Sequence, residues 1–276
     1  MRLAIVAHRN SETNEGLVTA GESLDIHTIR LTPREALCSL QPGDIALGRL
    51  DVRETLDGIE DGLRELDKLA ATRVVVLNPS AALAAAHDKL LTSRALRRAG
   101  LPHPHTWLIA EGLPVPVPEL PVVLKPRFGS WGRDVTLCRT HDEVQAATRR
   151  LYTENGVLAQ ELVPPRGWDA RLIVAGGRVV GAARRIAADG EWRTNVSLGG
   201  RSVPFQPPAL ARTLAVLAAD ALHTDLVGVD LLPTRNGWMI AELNGAVDFR
   251  PWYGEGVFVA ALVELLRVAR ERRAAA

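Results

Sequence analysis

The chain has 276 residues, a formal net charge of +1 and two cysteines, and these values exclude several classes of protein. A near-neutral charge provides no broad electrostatic field, so we expect no nucleic-acid partner. Cys38 and Cys138 are isolated, which excludes a disulfide framework and the ligand spacing of a zinc site. No stretch approaches the roughly 20 apolar residues of a membrane span, and residues 1–7 are too short for a signal peptide, so we expect a cytoplasmic protein without a membrane partner.

The first part of the chain alternates predicted strands and helices, which is typical of a small α/β lobe over residues 1–85. The apolar runs predict strands at 2–7, 25–31, 44–50 and 73–77, and helices at 54–69 and 81–99. The proline-rich stretch 102–121 cannot sustain a long helix, so the junction between lobes is expected within residues 85–120.

The rest of the chain, residues 86–276, has an α+β pattern. It predicts strands at 122–126, 158–163, 170–174 and 179–186, a hairpin of strands 227–232 and 238–244, and helices at 141–153, 208–222 and 256–273. We expect a central lobe at about 103–160 and a C-terminal lobe at about 161–276. A chain of this length exceeds what one hydrophobic core usually organises, in agreement with several lobes.

The predicted hairpin contains three oxygen-bearing side chains, Asp230, Glu242 and Asn244. Glu242 and Asn244 are two residues apart in one strand, so their side chains lie on one face, and Asp230 lies in the adjacent strand. Two carboxylates and an amide suit Mg²⁺, which takes oxygen ligands. The alternative is that these residues cap a solvent-exposed hairpin. Their apolar neighbours favour burial, where acids without a cation are costly, and hence the metal site.

Lysine is rare in this chain, since only Lys68, Lys89 and Lys125 occur among 33 basic residues. A lysine that remains in so arginine-rich a sequence is a candidate for a site that needs a compact, mobile charge. Lys125 leaves a predicted strand into a loop with Gly129 and Gly132, where backbone N–H groups can approach phosphate oxygens. The loop lacks the P-loop pattern, and a plain hairpin turn is the alternative.

Two further clusters are candidates for nucleotide and substrate contacts. The strand exit 160–163 offers backbone groups to an adenine edge, and Asp169 offers acceptors to ribose hydroxyls. Arginines 171, 184, 185 and 193 form a cationic cluster that suits a phosphate and a carboxylate. In both clusters the alternative is ordinary loop sequence or a solvated face.

Taken in order, these motifs resemble the ATP-grasp superfamily and, within it, the RimK-type ligases. The motifs are DK at 88–89, KPRFGSWGR from 125, QELV and DAR within 160–171, WRTN at 192–195, and GVDLL followed by AELN ending at 244. The resemblance implies an ATP-grasp fold in which a small N-terminal α/β lobe precedes two lobes that enclose ATP.

The resemblance also implies roles for individual residues. Nucleotide contacts are expected from Lys89, Lys125, Gly129, Ser130, Trp131, Gly132, Gln160, Glu161, Leu162, Val163, Asp169, Arg193, Thr194 and Asn195. Asp230, Glu242 and Asn244 are expected to hold Mg²⁺, as two ions, with Mn²⁺ as an alternative. Arg171, Arg184 and Arg193 are the candidates that stabilise the reacting oxyanion.

The implied activity is an ATP-dependent, ADP-forming ligase that joins a carboxylate to an amine through an acyl phosphate. Relatives add an amino acid such as glutamate to a small molecule, a peptide or a carrier protein. Here Asn244 is followed by Gly-Ala-Val-Asp-Phe249 instead of a turn containing Pro-Gly. This segment resembles more closely the Asn-x-x-x-Glu-Phe pattern of the lysine-biosynthesis (LysX-like) ligases, which act on an amino-group carrier protein, so the acceptor and the amino acid stay open. A phosphotransferase, a non-catalytic nucleotide-binding module and a homo-oligomer also stay open.

Overall fold

The computed structural model describes residues 1–110, 119–254 and 256–275, and within these ranges it contains three β-sheets and eight α-helices. Part of the proline-rich stretch expected at the lobe junction, residues 111–118, lies outside the described residues.

The first sheet lies in the N-terminal part of the chain and is entirely parallel. Its strands are β1 (Leu3–Val6), β2 (Thr28–Leu31), β3 (Ile45–Gly48) and β4 (Val75–Leu77), in the order β2-β1-β3-β4. Helices α1 (Glu12–Ser23) and α2 (Pro33–Ser39), which the sequence analysis did not predict, follow β1 and β2. Both have capping signals, because Ser11 accepts from the Asn14 N–H and Thr32 forms a capping box with Glu35.

The helix predicted at 54–69 begins later than expected. Helix α3 spans Leu63–Ala71, while residues 54–62 form turns beside an isolated bridge between Val52 and Ile59. Gly62 has φ of +125°, and a Cβ there would lie 2.3 Å from the Pro33 ring. The chain therefore turns at Gly62 before the helix can start.

The helix predicted at 81–99 is two helices. Helix α4 spans Ser80–His87 and α5 spans Lys89–Arg98, with the break at Asp88. The Asp88 carboxylate accepts from the Leu90 N–H at 3.0 Å and so caps α5. The break places Lys89 at the start of α5, at the edge of the cleft described below.

The second sheet is antiparallel and lies in the middle of the chain. Its strands are β5 (Thr106–Ile109), β6 (Val122–Pro126), β7 (Thr136–Cys138) and β8 (Val157–Glu161), in the order β5-β8-β6-β7. Helix α6 (His141–Leu151) packs against β6 and β7 through Val144, Ala147 and Leu151. Strands β5 and β7 were not predicted.

The third sheet is antiparallel and contains the predicted hairpin. Its strands are β9 (Trp168–Ala175), β10 (Arg178–Ile186), β11 (Arg201–Pro204), β12 (Leu226–Pro233) and β13 (Trp238–Asn244), in the order β11-β10-β9-β12-β13. Helix α7 (Ala209–Ala221) covers β12 and β13. Helix α8 (Val257–Ala274) packs into one core with Leu3 and Ile5 of the first sheet and Ile173 of the third.

The three sheets fall in successive stretches of the chain, and together they form the mixed α/β fold that the sequence predicts. The division into lobes at residues 1–85, about 103–160 and about 161–276 stays a proposal. Helix α8 packs against both the first and the third sheet, so these two lobes share one hydrophobic core. Within the described ranges, no helix is both long and apolar enough to cross a membrane.

Candidate functional site

Two adjoining clefts contain most of the predicted site residues. The first cleft lies between the second and third sheets and has a cavity volume of about 160 Å³. The second cleft lies between the loop after β13 and the segment after β3, and has a cavity volume of about 300 Å³. Five residues line both clefts, so the two form one continuous site: Lys89, Gly129, Ser130, Arg185 and Asn195.

The structure brings together all but one of the predicted side chains. The first cleft is lined by Lys89, Lys125, Gly129, Ser130, Gly132, Gln160, Glu161, Leu162, Val163, Asp169, Arg193, Thr194, Asn195, Asp230 and Glu242. The second cleft is lined by Trp131, Arg171 and Asn244, in addition to the shared residues. Arg184 lines neither cleft.

The two candidate lysines face the same acidic side chain. Lys89 Nζ donates to the Gly129 carbonyl at 2.6 Å and lies 3.8 Å from Glu242 Oε2. Lys125 is only 7% exposed, and its Nζ donates to Gln160 Oε1 at 2.8 Å. Burial lowers the pKa of Lys125 to about 8, an effect that the Glu242 carboxylate opposes. Two ammonium groups therefore stand at one end of the first cleft.

The glycine loop between β6 and β7, residues 129–132, is held in place by Arg193 and Asn195 from the segment between β10 and β11. Gly132 has φ of +70°, and a Cβ there would lie 2.5 Å from Asn195 Oδ1. Arg193 Nη1 donates to the carbonyls of Gly132 and Val135, at 3.2 Å each. The other side of that guanidinium pairs with Glu191, and these hydrogen bonds lower the pKa of Glu191 to about 2. Arg193 thus positions the loop over the cleft.

Asp169, expected at a ribose, is committed to a buried network. Its carboxylate accepts from Arg185 Nε at 2.7 Å and from Thr194 Oγ1 at 2.6 Å, and it is almost inaccessible. Both of its oxygens are bonded, because Arg185 Nη2 contacts Oδ2. Asp169 is therefore better placed to orient Arg185 than to accept hydrogen bonds from ribose hydroxyls.

Gln160 was expected near adenine, but both polar atoms of its side chain are already hydrogen-bonded within the protein. Its Oε1 accepts from Lys125, and its Nε2 donates to Thr106 Oγ1 at 2.8 Å. The side chain therefore positions Lys125. The groups left to face an adenine edge are those of the strand exit that follows, residues 161–163.

The three proposed metal ligands lie on adjacent strands in compatible register. Asp230 of β12 pairs with Glu242 of β13, and Asn244 follows two residues later. The Asp230 carboxylate, however, is bonded by Arg171, at 2.6 and 2.7 Å, and by Arg185, at 2.8 Å. Burial alone would raise the pKa of Asp230, but the two guanidinium groups more than offset it and hold the pKa at about 2.

The oxygen atoms of Asp230, Glu242 and Asn244 are the kind of ligand that a hard cation such as Mg²⁺ requires. Asn244 Nδ2 is buried without a hydrogen-bond partner in the described part of the chain, so this donor has capacity left for an acceptor, whereas a cation would bind Oδ1 of the same amide. The same ranges contain no group of three or more histidine, cysteine, aspartate or glutamate side chains arranged to hold a metal. Two carboxylates and an amide oxygen fit Mg²⁺ in chemistry and strand placement, provided that an arginine leaves Asp230.

Arg184 does not reach the clefts, so its predicted role at the oxyanion lacks support. Its guanidinium lies over the rings of Trp168, at 4.3 Å, and Phe205, at 5.1 Å. Successive residues of a strand point to opposite faces, so Arg185 faces the clefts in its place. The sequence analysis grouped Arg185 with the cationic cluster but did not choose it, because the face was undefined before the strand register was known.

Sequence reasoning missed the acidic wall of the second cleft. Asp51 lies just after β3, and Asp248 lies in the loop after β13. The available signal was Asp51, because residues at the carboxyl end of parallel strands border ligand sites in α/β sheets. His87 also lines this cleft, and burial lowers its pKa.

Comparisons with known proteins identify the family of this chain. The family model for the RimK-like ATP-grasp domain matches residues 86–255. A probable alpha-L-glutamate ligase of Aeromonas salmonicida is 32% identical over 192 residues, which are 67% of this chain and 64% of that protein. The match therefore spans just under two thirds of that relative.

Solved structures show the same fold. A RimK domain ATP-grasp protein of Sphaerobacter thermophilus is 24% identical, with a TM-score of 0.68 over 96% of this chain and 98% of that one. The ATP-grasp ligase PsnB in complex with its minimal precursor, Mg and ADP is 16% identical, with a TM-score of 0.68 over 97% and 98%. From the ordered motifs, the architecture and the matched domain, the chain belongs to the RimK-like ATP-grasp family.

Proposed function

We propose that this protein is an ATP- and Mg²⁺-dependent, ADP-forming ligase that joins a carboxylate to an amine. The observation that supports this most is the pair of ammonium groups, Lys89 and Lys125, on one side of the first cleft, both close to Glu242 of the third sheet. The complex of PsnB with Mg and ADP supports the same ligands for this fold.

In this proposal the first cleft binds ATP. Lys89 and Lys125 neutralise phosphate oxygens, and the glycine loop 129–132 contributes backbone N–H groups. Lys89 now bonds the Gly129 carbonyl, so it is already in contact with that loop. Leu162 and Val163 form the adenine side, and Thr194 and Asn195 line the wall from the third sheet.

Asp230, Glu242 and Asn244 would hold Mg²⁺, as two ions, with Mn²⁺ as a substitute. The bound ions would supply positive charge that stabilises the transferring phosphoryl group. Since Arg171 and Arg185 now satisfy Asp230, binding requires one guanidinium to move away. Arg171 is the better candidate, because Arg185 is also fixed by Asp169.

The reaction proposed is attack of a substrate carboxylate on the γ-phosphoryl group, which releases ADP and forms an acyl phosphate. An amine then displaces inorganic phosphate and forms the amide. Arg171 and Arg185 would stabilise the oxyanion, while Arg193 positions the loop that excludes water. Alignment of the two substrates can contribute about 7 to 11 kcal/mol to such a reaction, so no side-chain nucleophile is required.

The identities of the transferred amino acid and of its acceptor are further proposals. The name of the Aeromonas relative supports transfer of glutamate, and the PsnB complex supports a precursor molecule as the acceptor. A small molecule or a carrier protein is an equally open acceptor, because the loop after Asn244 departs from the Pro-Gly pattern of the glutamate-adding relatives.

The proposal is tested by ADP release together with trapping by hydroxylamine. Amino acids and peptides are screened as carboxylate donors, and hydroxylamine replaces the amine so that an acyl phosphate becomes a hydroxamate. We expect ATP- and Mg²⁺-dependent hydroxamate in the wild type and at least about 100-fold less in Glu242→Gln. A stable phosphorylated product without hydroxamate would identify a phosphotransferase, and nucleotide binding without turnover would identify a binding module.

A further inference from the structure

The second cleft has an acidic end that the reaction above does not use. Asp51 and Asp248 line it and are partly buried. Asp51 Oδ1 accepts from the Val52 N–H at 2.7 Å, and Asp248 Oδ1 has a long contact of 3.4 Å with Thr13 Oγ1. Within the described ranges neither carboxylate has an ion-pair partner within 4 Å.

One buried cation lies behind these two acids but does not balance them. Arg49 donates to Asn14 Oδ1 at 2.7 Å and to the Val247 carbonyl at 3.0 Å, and its Nη1 has no partner in the described residues. Burial lowers the pKa of Arg49 to about 10, and Asp248 and Asp51 oppose that effect. Arg250 also lines the cleft but pairs with Glu12, so those two charges cancel. The remaining guanidinium and two carboxylates leave a net negative charge at this end.

Unpartnered polar atoms in the same cleft point to a ligand. His87 is only 6% exposed, and its Nε2 has no hydrogen-bond partner in the described part of the chain. Asn244 Nδ2 and Trp252 Nε1 are also buried without partners there. Leaving such groups unsatisfied is costly, which a polar molecule in the cleft would relieve.

The opposite end of the cleft is cationic. Arg171, Arg185 and Lys89 lie there, at the boundary with the first cleft. A carboxylate that accepts the γ-phosphoryl group belongs at this boundary. An amine that enters from the other end of the cleft would pass Asp51 and Asp248.

We propose that Asp51 and Asp248 bind a cationic group of the amine substrate, and that this group is additional to the nitrogen that is acylated. The substrate class is therefore a dicationic amine, such as a basic amino acid or a diamine. This class differs from the glutamate that the name of the Aeromonas relative suggests, because glutamate would bring two carboxylates to a negatively charged end. This inference rests on the ligase function proposed above.

Equilibrium binding tests the inference without knowledge of the acceptor. L-Lysine, 1,4-diaminobutane, L-alanine and L-glutamate are titrated by calorimetry into protein saturated with Mg²⁺ and a non-hydrolysable ATP analogue. We expect the two dicationic amines to bind at least about tenfold more tightly than glutamate or alanine. Equal or tighter binding of glutamate, or no binding of the dicationic amines, would overturn the inference.

Single variants, with a control at an exposed acid, test whether Asp51 and Asp248 contact the bound amine. Asp51→Asn and Asp248→Asn keep the shape of the side chain, and each should weaken lysine binding about tenfold while nucleotide affinity stays within about twofold. Glu22→Gln removes an exposed acid of the same lobe and should change neither. Unchanged lysine binding in both aspartate variants would refute the assignment. Failure of the nucleotide analogue to bind the wild type would instead refute the proposed function.

Discussion

At the scale of single residues, the site separates the roles of lysine and arginine. The arginines form planar, bidentate contacts with carboxylates, as between Arg171 and Asp230, and so hold the framework. Lys89 and Lys125 have one short hydrogen bond each, to Gly129 and Gln160, and keep donors free. We propose that lysine is retained at these two positions because a point charge approaches phosphate there.

The lowered pKa of Lys125 predicts how nucleotide affinity depends on pH. Phosphates bind the ammonium form, so affinity is complete below the pKa of about 8 and is lost as the pH rises through it. The Kd of ATP, measured by calorimetry, should rise about fivefold between pH 8 and pH 9. Lys125→Met should bind weakly at all pH values, and Lys125→Arg should bind weakly without the pH dependence. A wild-type Kd that is constant over this range would contradict the role of Lys125.

The pairing of Arg171 with Asp230 predicts that the arginine competes with divalent ions. In the absence of nucleotide, Arg171→Met should bind Mn²⁺ at least about tenfold more tightly than the wild type, because a positive charge is removed from beside the Asp230 carboxylate. Electron paramagnetic resonance of free Mn²⁺ measures this directly. Arg178→Met, which removes an exposed arginine paired with Glu264, is the control and should have no effect. Equal Mn²⁺ affinity in all three proteins would show that Asp230 is not a ligand.

At the scale of elements, the positions of strand and helix ends determine the site. The break at Asp88 directs Lys89 to the cleft, and the β12–β13 hairpin aligns Asp230 with Glu242. The glycine loop between β6 and β7 closes against Asn195, at a distance that leaves no room for a Cβ at Gly132. Each of these elements places one charged or close-fitting group at the same cleft.

Gly132→Ala tests whether close packing of the loop is needed for nucleotide binding. The new methyl would lie 2.5 Å from Asn195 Oδ1, which displaces the loop, so the KM for ATP should rise about tenfold. Gly177→Ala is the matched control, because φ is +76° there and nothing lies within 4 Å of the added Cβ. Both variants lose about 1 to 2 kcal/mol from the left-handed backbone, but only Gly132→Ala should change KM. Equal KM values would refute the packing argument.

Much of this architecture could be predicted from the sequence, and the errors have physical causes. The hairpin around Asp230 and Glu242 was predicted well because apolar alternation and a turn define both strands. The continuous helix at 81–99 was wrong because Asp88 caps a new helix inside an apolar pattern. Arg184 and Arg185 could not be assigned to faces, since an irregularity between Val179 and Gly181 shifts the register of β10. Pairings such as Asp230 with Arg171 depend on tertiary contacts that no local pattern encodes.

At the scale of the whole molecule, a buried polar network joins the first and third sheets. Asn78 Oδ1 accepts from the N–H groups of Asp225 and Leu226, and Asn78 Nδ2 donates to the Leu226 carbonyl at 2.8 Å. Arg272 of α8 pairs with Asp225 at 2.6 Å and donates to the Val76 carbonyl. The N-terminal lobe, which contributes Asp51 to the second cleft, is therefore fixed to the third sheet, which contains Asp230 and Glu242.

Asn78→Ala should destabilise the whole protein. It leaves the buried N–H groups of Asp225 and Leu226 without acceptors, so the free energy of unfolding should fall by about 3 kcal/mol. Urea unfolding followed by circular dichroism measures the change. Asn155→Ala removes an exposed contact to the Asp57 carbonyl and should cost less than about 0.5 kcal/mol. A similar small loss in both variants would show that the network does not support the junction.

The most direct test of the account is a crystal structure with Mg²⁺ and a non-hydrolysable ATP analogue. We expect the phosphates within about 3 Å of the Lys89 and Lys125 ammonium groups, ions bound by Asp230, Glu242 and Asn244, and Arg171 separated from Asp230. A nucleotide bound outside the first cleft, or ions bound while Arg171 still holds both oxygens of Asp230, would contradict it.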